Sequence, residues 1–337
     1  MKALVFNRYG GPDHITFADT SRPVPKPDEI LVQVHDAGLN PIDYMIPKGM
    51  FKPILRFQLP ATLGSDLAGI VIETGSRVTR FKPGDAVFAS TFDLGTGALA
   101  EFALVPESAA AFKPPNLDFV QAASIPMVGL TSWQALKERA HLKPGQKVFI
   151  PAGSGGVGTF AIQLAKYLGA KVGTTTSTGN VDLVRSLGAD EVVDYKKQEF
   201  EDVLRDYDAV LGTVRGNALE KSLRILKPKT TVKSNVVSLI GPPDAAFARA
   251  RGMNFFMVFL FGLLSRKIVR HAKKRGIAYS FLFAHPDGGQ LAEIGELLRG
   301  GRIRPVIDKV FPFEQAKEAL AYLEKGRAKG KVVVQMK

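Results

Sequence analysis

The sequence predicts an α/β protein of two domains, one mostly β and one built on a doubly wound parallel sheet, and three observations carry that expectation. At 337 residues the chain exceeds the size at which a single hydrophobic core stops growing. Residues 1 to about 112 are short strand-like runs separated by Pro and Gly turns, and from about 123 onward helical stretches alternate with buried strands.

The elements follow in order. Met1 to Phe6 runs straight into a strand pattern and lacks the apolar core and small-residue cleavage site of a secretory leader, so the chain is read as cytoplasmic. Strands are expected at Ile30–Val34, Gly69–Glu73 and Ala86–Ala89. Pro25-Lys26-Pro27-Asp28 and Phe81-Lys82-Pro83-Gly84-Asp85 supply a fixed φ or a flexible Gly where the chain reverses. The second region reads as helices at 129–140 and 157–168 among strands at 147–151, 171–175, 191–193, 208–211 and 235–240, a pattern that implies parallel pairing. The last fifty or so residues carry a helix at 288–299, a strand near 303–310, a helix at 313–325 and a strand at 331–335, and are expected to return to the first domain. The expected domains are therefore 1–122 with 288–337, and 123–287.

Composition narrows the chemistry. The chain has no cysteine, which excludes disulfides, thiolate nucleophiles and every zinc site built on Cys ligands. Its five histidines, His14, His35, His141, His271 and His285, lack metal-site spacing and are read as structural or surface residues. A net charge of +13 fits nucleic acid, an anionic membrane or a phosphorylated ligand. Neither zinc-finger nor helix-turn-helix spacing occurs, nor an aromatic-basic stripe, so nucleic acid is not the expected partner. Met253 to Leu264 is almost wholly apolar and Arg266 to Arg275 densely basic. The apolar run is too short to span a bilayer, which needs about 20 residues. The expectation is a helix buried against a neighbour or a dimer interface, followed by a solvated basic helix, with membrane-surface attachment as the less favoured alternative.

The strongest local signal is Lys147-Val148-Phe149-Ile150-Pro151-Ala152-Gly153-Ser154-Gly155-Gly156-Val157-Gly158, followed by a helical pattern. Gly153, Gly155 and Gly158 satisfy G-x-G-x-x-G between a strand and a helix. There, missing side chains permit a tight turn, close approach of a diphosphate and close helix packing, and the helix N-terminus offers free N–H groups. Ser154, Gly156 and Val157 complete the expected nucleotide turn. The next strand ends in Thr174, Thr175, Thr176, Ser177, Thr178 and Asn180, where an NAD-specific fold would place an acid on the ribose 2′-hydroxyl. Neutral donors accept a 2′-phosphate without repelling it, so NADPH is the expected cofactor. Ser177 or Thr178 also suits a helix N-cap. Tyr195 is a candidate cover for the adenosine phosphate, and Arg185 a weaker candidate for its charge.

Gly38-Leu39-Asn40-Pro41-Ile42-Asp43, Gly64-Ser65-Asp66-Leu67-Ala68-Gly69, Gly84-Asp85-Ala86-Val87, Gly129-Leu130-Thr131-Ser132, Ala152 to Gly158 and Ser186-Leu187-Gly188-Ala189-Asp190 occur in one order along nearly the whole chain. In these segments the sequence resembles the zinc-free quinone oxidoreductase branch of the medium-chain dehydrogenase/reductase superfamily. The resemblance implies a GroES-like catalytic domain, a Rossmann nucleotide domain, an active site between them and, commonly, a homodimer. It also implies that Asn40 and Ser65 stand where zinc-dependent members carry a Cys and a His. The four-Cys structural lobe is missing too.

The implied reaction is metal-free hydride transfer from the nicotinamide to a quinone or an α,β-unsaturated carbonyl. Asn40 is the first candidate and Tyr44 the second for a hydrogen bond to the acceptor oxygen. Asn40 also reads as a turn amide beside Pro41, and Tyr44 as ordinary packing. Thr131 is expected beside the cofactor, or capping the helix after it, and Gly241 beside the nicotinamide. Two departures stand out: Asn180 where relatives often have a basic residue, and Gly212 where an acid is frequent. The alternative function is a catalytically weak NADPH-binding sensor or scaffold.

Overall fold

A computed structural model of the chain describes residues 1–55, 57–227 and 234–336. The strands, in chain order, begin with β1 (Lys2–Phe6), β2 (Ile15–Asp19), β3 (Glu29–Leu39), β4 (Ala61–Thr62), β5 (Asp66–Thr74), β6 (Ala86–Ser90), β7 (Phe102–Pro106) and β8 (Ala110–Phe112). They continue with β9 (Lys147–Ile150), β10 (Lys171–Thr176), β11 (Glu191–Asp194), β12 (Ala209–Gly212), β13 (Asn235–Ser238) and β14 (Ala278–Phe281), and close with β15 (Ile307–Pro312) and β16 (Lys331–Gln335).

Two units form, Met1–Leu130 with His285–Lys337, and Thr131–Ala284. The division falls after Leu130 and before His285, where the sequence suggested 122 and 288. The helix Pro126–Trp133 explains the first difference, because its beginning is tied to the first unit. Met127 N–H donates to Asp66 Oδ1 at 2.9 Å, and the Cα of Gly129 faces Ile294 so closely that a Cβ would sit 3.3 Å from it.

The first unit is organised by a seven-stranded sheet in the order β15-β16-β3-β5-β6-β8, with β7 also on β3, and by a small sheet β2-β1-β4. β3 is the hub. It pairs antiparallel with β5, β7 and β16, and two register shifts against β5 let its eleven residues bend. Val332, Val333 and Val334 of β16 are buried against it, so the C-terminal strand completes the sheet begun near the N-terminus.

The second unit is a six-stranded sheet in the order β11-β10-β9-β12-β13-β14, with parallel pairing throughout. The order reverses at β9, whose neighbours β10 and β12 lie on opposite sides, and ligands of such sheets bind outside the carboxyl ends of strands at that point. Buried Phe149, Val193, Tyr207, Leu219, Leu223 and Ile268 form part of its core.

The apolar and basic runs near the end of this unit are one helix, Phe255–Lys274, rather than two segments. It packs through Phe261, Ser265, Ile268 and Ala272, while Phe255, Phe256, Phe259, Leu263 and Leu264 are exposed. The expected burial of the apolar half is thus not found among the described residues of the chain. The burial spacing that would keep these side chains inside is satisfied on one stripe only.

Candidate functional site

In the second unit the turn after β9 has the geometry its glycines permit. Ala152 takes a positive φ of 55°, a conformation costly for a residue with a Cβ and common at functional turns. The turn is held from the neighbouring strand: Ala152 N–H donates to Thr175 Oγ1 at 3.1 Å and Gly153 N–H to Thr175 O at 2.9 Å.

The three motif glycines have different reasons to be glycine. A Cβ on Gly153 would stand 2.1 Å from Thr174 Oγ1, and one on Gly158 would stand 2.4 Å from Ala152 O. A Cβ on Gly155 meets nothing nearer than Ala152 O at 3.4 Å. The first and third glycines thus close the turn and seat the helix, whereas the second borders open space. Gly155 is the N-cap of the twelve-residue helix Gly156–Tyr167, and no side chain caps it. The first-turn N–H groups of Gly156, Val157 and Gly158 have no carbonyl within the helix, and the helix dipole adds partial positive charge there. This cradle fits a diphosphate.

Beside it lies a cluster of neutral polar groups. Thr176 Oγ1 donates to Ser154 Oγ at 3.0 Å, and Asn180 Nδ2 reaches Ser154 Oγ at 3.2 Å and Ser177 Oγ at 3.3 Å. Ser177 occupies a cap position without using its side chain to cap. Three of the expected phosphate-loop residues behave otherwise. Thr174 Oγ1 donates to Ile150 O at 2.6 Å, and Thr175 Oγ1 accepts from Ala152, so both build the turn instead of facing a ligand. Thr178 Oγ1 donates to Asp194 Oδ2 at 2.6 Å, and this hydroxyl is the main reason the Asp194 carboxyl sits below the usual carboxylate range.

Asp194 is an acid that reading β10 alone did not find, because it arrives on the adjacent strand. Lys197 lies 3.8 Å from it. Tyr195 is exposed, with its N–H held by Thr176 O at 3.1 Å. Thr131 is buried within the helix Pro126–Trp133 and does not cap a following helix. Gly241, at φ 93°, accepts from Ser238 Oγ at 2.8 Å and borders a cavity of about 290 Å³ with Arg215, Ile240, Pro242, Leu264 and Lys267.

The first unit contains a buried polar knot around Asn40. Asn40 Nδ2 donates to Ser65 Oγ at 3.0 Å and to Asp66 Oδ2 at 2.7 Å. Its Oδ1 accepts from Lys331 Nζ at 2.6 Å, and Lys331 Nζ also reaches Asp66 Oδ2 at 3.2 Å. Asn40 N–H donates to Asp43 Oδ2 at 2.7 Å. Burial pushes the Asp43 carboxyl up to about 7 and raises Asp66 as well, against the pull of the Lys331 ammonium and the Asn40 amide.

The knot bears on the donor role expected of Asn40. Both amide hydrogens are already given to Ser65 and Asp66, so in this arrangement Asn40 has none for an acceptor oxygen. The Tyr44 ring lies 5.7 Å from Lys48 Nζ and lines a hollow with Pro47, Lys317, Leu320 and Glu324. Asp43, Asp66 and Lys331 were not singled out from the sequence. The only signal for Lys331 was a charge at the head of an apolar strand.

Two family models match the chain, "Alcohol dehydrogenase GroES-like domain" over residues 26–115, within the first unit, and "Zinc-binding dehydrogenase" over residues 187–334, which begins in the second unit and runs into the C-terminal part of the first. Together with the nucleotide cradle, they define a two-domain dehydrogenase/reductase. The NAD(P)H oxidoreductase RTN4IP1, mitochondrial, of Danio rerio is 37% identical, covering 99% of this chain and 91% of the relative. The NADPH-dependent alkenal/one oxidoreductase, chloroplastic, of Arabidopsis thaliana is 34% identical over 99% of this chain and 79% of its own length. The structure of the quinone oxidoreductase from Coxiella burnetii superposes with a TM-score of 0.84 at 31% identity, covering 100% of this chain and 99% of that one. The chain belongs to the quinone oxidoreductase branch of the medium-chain dehydrogenase/reductase superfamily.

The second family model implies zinc, and the residues present do not suit it. At the position in question a carboxamide, a hydroxyl and a carboxylate converge with a lysine ammonium, which is itself the cation of the knot.

Proposed function

We propose that the chain is an NADPH-dependent oxidoreductase that reduces quinones or α,β-unsaturated carbonyls without zinc. The observation that carries the reading is the open side of Gly155 beside the uncapped helix N-terminus, flanked by Ser154, Thr176, Ser177 and Asn180. The names of the relatives support the same cofactor and acceptor classes.

When bound, NADPH supplies a hydride. Gly156, Val157 and Gly158 hold its diphosphate through backbone N–H groups, and Ser154, Ser177 and Asn180 receive the adenosine phosphate without a carboxylate among them. Thr131 and Gly241 are the proposed neighbours of the nicotinamide, and Tyr195 the proposed cover of the adenosine end. The proposed role of Asn40 is positional: it ties Pro41 and the start of the following helix to Asp66 and Lys331. Tyr44 remains the proposed hydroxyl donor. A conjugated acceptor delocalises the incoming negative charge and so needs no Lewis acid.

The test is loss of NADPH absorbance with purified protein and a benzoquinone, a naphthoquinone, an alkenal, a cyclic enone and a saturated aldehyde, with NADH in parallel. Turnover of a quinone or enone that prefers NADPH and survives a zinc chelator is expected. Tight NADPH binding with no oxidation by any acceptor would replace this reading with a sensor or scaffold.

A further inference from the structure

We propose that the outward face of the helix Phe255–Lys274 docks on an anionic lipid surface, its first half entering the acyl boundary and its second half lying at the phosphates. The inference is independent of the cofactor site.

The helix is capped at Asn254, whose Oδ1 accepts from Met257 N–H at 3.0 Å, and it runs twenty residues. At about 100° per residue, Phe261, Ser265, Ile268 and Ala272 share the stripe that packs on the protein. The opposite stripe carries Phe255, Phe256, Phe259 and Leu263, which are 84%, 67%, 61% and 53% exposed. It continues with exposed Arg266, Arg270, Lys273 and Lys274. One face thus changes along its length from large apolar side chains to cations.

A soluble surface has no reason to show three phenylalanines and a leucine together, since each exposed large side chain forgoes about 1.5–3 kcal/mol of burial. No helix among the described residues is long and apolar enough to cross a membrane, so the face lies on a bilayer and does not span one. The apolar part of the stripe, Phe255 to Leu263, is about 12 Å long. An interfacial helix lies in the membrane plane with such a face about 5–10 Å into the headgroup and acyl boundary.

Charge decides between a bilayer and a second copy of the chain. From Ala245 to Pro286 the sequence has no Asp or Glu, and Glu220, whose carboxylate lies 2.7 Å from Lys267 Nζ, comes from another element. Two copies meeting through this face would bury the phenylalanines but leave both cationic halves without counter-charge. A bilayer rich in acidic headgroups offers apolar depth and a negative plane in the order the helix requires.

The experiment is co-sedimentation of the full chain with vesicles of phosphatidylcholine containing about one-third phosphatidylglycerol, and with pure phosphatidylcholine vesicles. Binding to the acidic vesicles alone, weakening as salt rises past about 0.15 M, is expected. Arg270→Gln with Lys273→Gln and Lys274→Gln should lower the partition coefficient by about 100-fold. Phe255→Ser with Phe259→Ser should also release the protein at low salt. Both variants alter exposed side chains, and unchanged circular dichroism and melting would show that their fold is intact.

Failure to sediment with acidic vesicles, or sedimentation indifferent to both variants, would overturn the proposal. So would equal binding to neutral vesicles. A dimer in sedimentation velocity that the Phe255→Ser, Phe259→Ser variant dissociates would assign the face to a second copy instead.

Discussion

At the residue scale, the three glycines of the nucleotide turn separate folding from binding. All three fit one sequence pattern, yet only the structure shows that Gly153 and Gly158 are enclosed by Thr174 and Ala152 while Gly155 borders open space. Gly158→Ala should therefore destabilise the unliganded protein by about 1–3 kcal/mol, the range for overpacking a closed site. Gly155→Val should leave unliganded melting nearly unchanged and weaken NADPH by at least about tenfold, the loss of one charged hydrogen bond or more. Differential scanning fluorimetry with and without NADPH reads both, and equal melting losses in the two variants would contradict the division of roles. The same scale holds the hydrogen bonding of Asn40. A sequence shows that an amide stands in a turn, but not that its two hydrogens are spent on Ser65 and Asp66, residues about 25 positions away.

At the element scale, β3 shows why Gly positions within strands were legible as signals but not as contacts. Gly69 of β5 lies opposite Val34, beside a register shift of β3, and a Cβ there would meet Gln33 O at 2.1 Å. The obstruction is backbone of the hub strand, which cannot rotate away. Gly69→Ala should cost about 2–3 kcal/mol in urea unfolding. A loss below that of an exposed-site alanine substitution would show that β3 yields.

The strands β3, β5, β6, β9 to β13 and β16 were visible as apolar or alternating runs with breakers at their ends. β14 was missed, being four residues at the outer edge of its sheet and partly exposed. The helix Phe255–Lys274 was read as two segments because its composition changes at Arg266. A change of composition is not a helix stop, however, and no Gly or Pro intervenes at that junction.

At the scale of the whole molecule, buried carboxyls make stability depend on pH in an unusual direction. Asp36 Oδ1 is buried and has no hydrogen-bond partner among the described residues, and burial, with Asp118 nearby, raises its carboxyl to about 6. Asp43, at about 7, acts in the same sense. A raised carboxyl keeps its proton in the folded state after the unfolded chain, with a carboxyl near 3.9, has released it. Between about pH 4 and 7 these groups therefore lower stability as pH rises, each by up to about 1.4 kcal/mol per pH unit. Asp36→Asn, which imitates the protonated form, should match the parent near pH 4 and exceed it above pH 6 in denaturant unfolding. A pH-independent difference would remove Asp36 from the account.

The sequence by itself determined the two-domain α/β class, the return of the C-terminal strand, and the nucleotide turn with its lack of an acid at the end of β10. These depend on periodicity, turn chemistry and local spacing, which neighbouring residues carry among themselves. Only the tertiary structure decided that Asn40, Ser65, Asp66 and Lys331 form one buried knot, that Asp194 approaches Thr178, and that the apolar half of the helix Phe255–Lys274 stays outside. Each of these is set by which strand or helix lies beside which, and packing between distant segments leaves no periodic trace in the chain.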